Sequence, residues 1–254
     1  MNHKLIIFDV DGTITESGEL ISNSMKNTIK NLPNDFDLAI LGGGKLDKIL
    51  YQLDGIPFKH YFTECGCVYY LNNSSDLVSL QHQYTINIRE HLLYNKINII
   101  VKESLLFLSQ VDYTLSGNFI DLRNGMIYIS LIGMSATQDE RKMFIEKNNT
   151  FNYRSKLLNI LHEKAKELNI YDDVTICEGG SVGLAIYPVE NDKIQVLKYL
   201  QDQYYTEIHY FGDKYTKNGN DHKIINDKNV IGYRVNSVYD TKNHLLKIIN
   251  NYCK

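Results

Sequence analysis

The stretch that most constrains this chain is Leu5 to Thr13, Leu-Ile-Ile-Phe-Asp-Val-Asp-Gly-Thr, where an apolar run stops at two carboxylates one residue apart. Leu5, Ile6, Ile7 and Phe8 are apolar without alternation, the pattern of a parallel strand covered on both faces. Ligands of open parallel sheets gather at the carboxyl ends of strands, which puts Asp9 at the mouth of a crevice and Asp11 just beyond it on the loop. Gly12 lets the chain turn tightly. Two acidic side chains this close repel unless a cation lies between them, and oxygen donors favour a hard ion such as magnesium. A carboxylate so placed can attack phosphorus. The same residues also fit a plain strand followed by an Asp-Gly turn, so the rest of the chain has to decide.

Further along, Ser22 is placed to cap a helix carrying Met25, Ile29 and Leu32 on one face, with Pro33 ending it. A second apolar strand, Asp37 to Leu41, runs into Gly42-Gly43-Gly44, and Leu46, Ile49, Leu50 and Leu53 then mark a helix. Glycines at a strand end beside a helix amino terminus expose amides that suit a phosphate, and they also serve plain turn geometry. Val68 to Leu80 reads as a hairpin around Asn72–Asp76, with its second strand in Leu77-Val78-Ser79-Leu80. From Tyr84 to Val111 the spacing is mostly helical. Strands on either side of Asn124-Gly125 form a second hairpin within Asn118 to Leu131. Thr137 to Glu140 has capping-box spacing, and Leu157, Leu161, Ala165 and Leu168 lie along another amphipathic helix. Two more strands, Val174 to Cys177 and Val182 to Tyr187, lead to Pro188. The βα pattern then resumes with a helix bearing Ile194, Leu197 and Leu200, and with a strand, Glu207 to Asp213, that again ends in an acid. Gly219-Asn220-Asp221-His222 opens a short helix, followed by a strand near Ile231 to Val235 and a closing helix from about Asp240.

The expected architecture is therefore α/β. A Rossmann-like core of residues 1–83 and 189–254, built on a parallel-rich sheet, carries an inserted α+β domain, 84–188, with an antiparallel sheet. At 254 residues, 43% hydrophobic and 22% charged, the chain is long enough for two domains. A formal charge of −3 without any long basic run gives no attraction to nucleic acid or anionic membrane. The first residues lead straight into a strand, and no apolar run approaches the ~20 residues of a spanning helix, so a cytosolic protein is expected. Four cysteines are too few for a disulfide framework. Cys65 and Cys67 lack a second pair nearby and read as structural thiols.

The ordered motifs Asp9-Val-Asp-Gly-Thr13, Lys193, Gly212-Asp213-Lys214 and Gly219-Asn220-Asp221 resemble those of the haloacid dehalogenase superfamily. Arg123-Asn-Gly-Met126, Ile132-Gly133, Gln138 to Arg141, Gly179-Gly180 and Phe211 to His222 narrow the resemblance to the eukaryotic type of phosphomannomutase, over almost the whole chain. That resemblance implies interconversion of mannose 6-phosphate and mannose 1-phosphate through an aspartyl phosphate and a hexose bisphosphate, which also acts as activator, in the mannose metabolism that leads to GDP-mannose. It implies Asp9 as nucleophile, Asp11 as general acid and base, and Lys193 as the cation that offsets phosphate charge. It implies magnesium on Asp9, the Asp11 carbonyl and Asp213, with Asn220 and Asp221 in or behind its shell. It makes the insertion a cap whose Arg123 and Arg141 hold the distal phosphate, with Asn124, Gly43 and Gly44 also lining the substrate site. The active site would lie between core and cap, and homodimers would form through the caps.

Departures fall among the substrate-binding positions. Gly44 stands for a phosphate-binding serine, Gly18 and Met134 for arginines, and Gly183 and Ala185 for a serine and an aspartate. Thinning of this kind weakens reorientation of a bisphosphate more than simple transfer, so a sugar-phosphate phosphatase is the alternative, and a catalytically silent binding protein on the same fold a second one. Lys142 and Arg154 are candidates to compensate, but read as solvated helix charges.

Overall fold

The computed structural model describes residues 3–74, 79–200, 203, 205–217 and 219–252. The chain opens with β1 (Lys4–Phe8), α1 (Asn23–Lys30), β2 (Phe36–Leu41), α2 (Leu46–Leu53), β3 (His60–Thr63), β4 (Val68–Asn72) and β5 (Leu80–Thr85). There follow α3 (Tyr94–Leu108), β6 (Ile120–Leu122), β7 (Ile127–Ser130), α4 (Gln138–Phe151), α5 (Tyr153–Glu167), β8 (Val174–Gly179) and β9 (Gly183–Pro188). The last stretch holds α6 (Val196–Leu200), β10 (Glu207–Gly212), α7 (His222–Ile225), β11 (Ile231–Arg234) and α8 (Val238–Tyr252). Two compact units result, Met1–Thr85 with Lys193–Lys254, and Ile86–Asp192.

The first unit is built on a seven-stranded sheet of order β11-β10-β1-β2-β3-β4-β5. Its pairings are parallel from β11 to β3 and antiparallel from β3 to β5. β1 is central, in register with Glu207–Phe211 on one side and with Phe36–Ile40 on the other. Its apolar run is explained by two separate cores. Ile6 and Phe8 pack with Met25, Ile29, Leu245 and Ile248, whereas Leu5 and Ile7 pack with Val196, Leu200, Ile224 and Ile225. Ser22 caps α1 as its position predicts, accepting from the Met25 amide.

The second unit has a four-stranded antiparallel sheet of order β6-β7-β9-β8. One face is covered by helices, with Ile97 and Ile100 of α3 and Leu157 and Leu161 of α5 packed on Ile127, Ile129, Leu184 and Ile186. The expected capping box is complete, with Thr137 accepting from the Glu140 amide and the Glu140 carboxylate accepting from the Thr137 amide.

Several boundaries differ from the sequence reading. Tyr84 and Thr85 belong to β5, where they pair with Tyr69 and Val68, and the helix expected from Tyr84 starts only at Tyr94. Residues 75–78, in the expected loop and second strand of the first hairpin, lie outside the described residues. The insertion does not end at Pro188. Val189–Asn191 form a 3-10 turn of the second unit, tied there by the Asn191 side chain donating to the Gly125 carbonyl at 2.8 Å. The helix expected around Ile194 to Leu200 is split into a 3-10 turn, Lys193–Gln195, and the short α6. Among the described residues no helix is long and apolar enough to cross a membrane.

Candidate active site

β1 delivers Asp9 at its carboxyl end, where the Asp9 amide donates to the Phe211 carbonyl of β10 at 2.9 Å. The chain then folds back on itself, with the Gly12 amide donating to the Thr15 carbonyl and Ile14 and Thr15 donating to Val10. Gly12 sits at φ +85°, and a side chain there would come within 2.6 Å of the Asp213 carboxylate. Both facts demand glycine, and together they bring Asp213, just past β10, up to the acidic loop.

Lys193 is wholly buried and donates to Asp9 Oδ1 at 2.5 Å and to Asp221 Oδ1 at 2.7 Å. Tyr210 donates to the same Asp221 oxygen at 2.5 Å, and the Lys214 amide donates to Asp221 Oδ2 at 2.9 Å. Asp221 is thus committed to protein donors and anchors Lys193 and the turn after β10. One oxygen each of Asp9, Asp213 and Asp221 lie within 4.8 Å of one another. Burial raises the pKa of Asp9, Lys193 opposes the rise, and the charges of Asp221 and Asp213 add to it, for a net value of about 8. Burial disfavours the Lys193 charge, but Asp221 and Asp9 outweigh it and hold its pKa well above the usual lysine value. Asp213 is pushed up, chiefly by burial.

Asp213 Oδ1 and Asn220 Oδ1 are buried without a hydrogen-bond partner. Orphaned oxygens beside a surplus of negative charge are what a hard divalent cation satisfies, so the donor set fits magnesium. Asp9 and Asp213 are the side chains of that cluster that could hold it, Asp221 being taken up by protein donors, and Asn220, next to Asp221 in sequence, offers an orphaned oxygen.

Asp11 is set differently. Its Oδ1 accepts from the Gly18 amide at 2.7 Å and from Gln52 at 2.8 Å, and its Oδ2 pairs with Lys48 at 2.7 Å. Burial works to raise its pKa, yet Lys48 and these donors bring it below the usual carboxylate value. Lys48 and Gln52 were not singled out from the sequence, although their spacing of four on α2, behind the glycine run, puts both on one face. Tyr210 was also missed, since a tyrosine inside an apolar strand carries no signal of its own.

Gly42 to Gly44 are held against the turn after β3 by the Cys65 amide on the Gly42 carbonyl and the Glu64 amide on the Gly44 carbonyl. Cys65 and Cys67 are buried within this packing and are not joined in a disulfide. A side chain on Gly44 would lie 3.3 Å from the Lys48 stem, so the glycine makes room for the lysine that reaches Asp11. Gly18, at φ +80°, offers its amide to Asp11 in a conformation unfavourable to the arginine of the resemblance. Asn218, within the Phe211–His222 motif, is outside the described residues.

In the second unit, the Arg123 Nε donates to Asp121 at 2.8 Å. Asn124 lies at the exposed tip of the β6–β7 turn, its carbonyl accepting from Ile88. Arg141 donates to the carbonyls of Ala136 at 3.1 Å and Met134 at 3.2 Å. Lys142 is solvated as expected, but Arg154 is not. Its guanidinium donates to the Gly180 and Gly183 carbonyls and pairs with Glu178 at 3.2 Å, clamping the β8–β9 turn. The spacing of α5 shows only that Arg154 opens a helix, not that a turn folds back onto it.

Residues 25–251 match the sequence pattern of the family described as eukaryotic phosphomannomutase. The chain belongs to the eukaryotic phosphomannomutase family. It is 34% identical to the phosphomannomutase of Dendrobium officinale, over 93% of this chain and 90% of that one. Against the phosphomannomutase of Saccharomyces cerevisiae it is 32% identical, over 97% of this chain and 94% of the other. The fold extends beyond the phosphomannomutases. A trehalose-6-phosphate phosphatase related protein superposes with a TM-score of 0.56 at 14% identity, covering 98% of each chain. The IMP-bound Plasmodium falciparum IMP-nucleotidase gives a TM-score of 0.65 at 16% identity, over 98% of this chain and 68% of the other. The core with its inserted α+β unit is thus the haloacid dehalogenase fold.

Proposed function

We propose that this phosphomannomutase family member interconverts mannose 6-phosphate and mannose 1-phosphate by passing a phosphoryl group through Asp9. The observation that carries the reading is the buried Lys193 held between Asp9 and Asp221, beside two unpartnered oxygens on Asp213 and Asn220. Lys193 fixes one oxygen of Asp9 and leaves the other to attack phosphorus. Its charge, kept by Asp221, offsets the negative charge that builds on the transferring group. A magnesium ion on Asp9, Asp213 and Asn220 would keep the nucleophile ionised and draw charge from the phosphoryl oxygens. Asp11 takes the proton from the sugar hydroxyl and returns it to the leaving oxygen, and Lys48, Gln52 and the Gly18 amide hold its carboxylate in place. Arg123 and Arg141, already fixed by Asp121 and by the Ala136 and Met134 carbonyls, serve the far phosphate. A hexose bisphosphate serves as activator by charging Asp9.

The reading includes a homodimer joined through the second unit, supported by the exposed large apolar side chains Ile99, Leu105 and Leu106 of α3.

The test is conversion of mannose 1-phosphate with magnesium and a trace of hexose bisphosphate, by the natural sequence and by Asp9→Asn. Product from the first and none from the second is expected. Turnover by Asp9→Asn, or release of inorganic phosphate without isomerised sugar, overturns the mutase reading, the latter in favour of a phosphatase.

A further inference from the structure

We infer that Tyr128 sets the position of Arg123, and is therefore a positioning residue for the far phosphate; this rests on the mutase reading above. On β7 the flanking Ile127 and Ile129 turn into the helix-covered core, so Tyr128 lies on the opposite face of the sheet. It stands across from Ala185 in the β7–β9 register. Its ring spreads over the end of β8 and the start of β9. A methyl on Gly179 would lie 2.9 Å from ring carbon Cε2, and one on Gly183 would lie 2.4 Å from Cζ and from the hydroxyl oxygen. Gly179 has no positive φ, so the ring and not the backbone requires glycine there. The phenol donates to the Gly179 carbonyl at 3.1 Å, which pins the far end of the side chain.

Onto this fixed ring the Arg123 guanidinium is laid, its central carbon 4.9 Å from the ring centroid. Its Nε is held by Asp121 at 2.8 Å, and its amide closes the turn on the Met126 carbonyl at 2.9 Å. The edge of the guanidinium is held by Asp121 and, through Nη1, by the Met126 sulfur at 3.9 Å, while the aromatic face fixes its plane. A planar fork fixed beforehand on its edge and on its face loses less entropy on gripping a phosphate through two hydrogen bonds. Gly179, Gly183 and Ala185 therefore form the small-residue bed on which Tyr128 lies, and at Gly183 and Ala185, where the family resemblance leads one to expect polar side chains, this chain has an aromatic support for its arginine.

The experiment compares the natural sequence with Tyr128→Phe and Tyr128→Leu by isomerisation kinetics and by calorimetric titration of glucose 1,6-bisphosphate. Tyr128→Leu is expected to raise KM and the dissociation constant about tenfold, the scale of a desolvated cation–π contact, with kcat changed much less. Tyr128→Phe, which keeps the ring, is expected to stay within about threefold of the natural values on the same scale. Gly179→Ala, which lifts the ring, is expected to weaken binding in the natural background but to add nothing to Tyr128→Leu. Equal binding by all variants overturns the inference, and so does an equal loss in Phe and Leu, which would put the effect in the hydroxyl. If the natural protein binds the bisphosphate but does not isomerise, the mutase reading fails while the titration still decides the role of Tyr128.

Discussion

Lys193 reaches Asp9 across 184 positions of sequence and meets it at 2.5 Å, with its side chain entirely out of solvent. The same ammonium holds Asp221, so one cation is shared by two buried carboxylates. Lys193→Met is expected to lower phosphoryl transfer at least a hundredfold, the scale of losing a charge aimed at the reacting group. It should also destabilise the protein by about 3 kcal/mol, because the carboxylates left behind are buried without their partner. Steady-state kinetics and thermal melting check the two effects, and a variant that loses neither contradicts the assignment.

A second expectation concerns pH. Burial, with Asp221 and Asp213 adding to it, lifts Asp9 to about 8 against the pull of Lys193, well above an unfolded value of about 4. A group whose folded pKa is raised favours the folded state most below its unfolded pKa. That contribution fades as pH rises through the interval between the two values. Protein stripped of metal should therefore lose stability between about pH 4 and pH 8 through this group. Magnesium requires the ionised carboxylate, so the increase in melting temperature on adding it should be larger at pH 8 than at pH 5.5. Melts with chelator and with magnesium across this range provide the check, and a magnesium effect independent of pH counts against Asp9 as a ligand.

Gly12→Ala is expected to act on the site more than on the fold. A methyl there meets the Asp213 carboxylate at 2.6 Å, on a backbone at φ +85° that alone costs about 1–2 kcal/mol for an L residue. Displacing Asp213 should weaken magnesium activation by roughly tenfold or more, by analogy with loss of groups that orient a metal ligand. Titrating activity against magnesium reads this directly, and an unchanged half-saturation refutes it.

Arg154→Met is expected to lower stability by about 1–2 kcal/mol, since the part-buried bond to the Gly183 carbonyl, the exposed one to Gly180 and the pairing with Glu178 lose a charged donor. A solvated helix arginine costs well under 1 kcal/mol on the same substitution. Denaturant unfolding separates the two values.

The sequence made the parallel strands legible because burial on both faces leaves an unbroken apolar run, as at Leu5 to Phe8 and Ala39 to Leu41. Caps were equally plain, because Ser22 and Thr137 each act on the amide three residues on. What stayed hidden depends on distant partners. Tyr84 and Thr85 became strand only through pairing with β4, and Arg154 became structural only because the β8–β9 turn folds onto it. Within the site, Asp9, Asp11, Lys193 and Asp213 were marked by motif. By contrast, Lys48, Gln52 and Tyr210 act through side chains of elements whose pattern speaks only of packing. The division of work between Asp221, taken up by Lys193, Tyr210 and Lys214, and Asn220, with an orphaned oxygen, required the geometry.

The central place of β1 in its sheet has a consequence for how the molecule comes into being. On the ribosome Lys4–Phe8 is made well before one of its two neighbours, Glu207–Phe211, which lies far along the sequence. The nascent polypeptide can complete its inserted unit, Ile86–Asp192, which has its own sheet and core, while the strand bearing Asp9 still has one open edge. A truncated product ending anywhere before β10 would thus expose that apolar edge, and should be sought among aggregates and chaperone clients in preference to shortened enzymes.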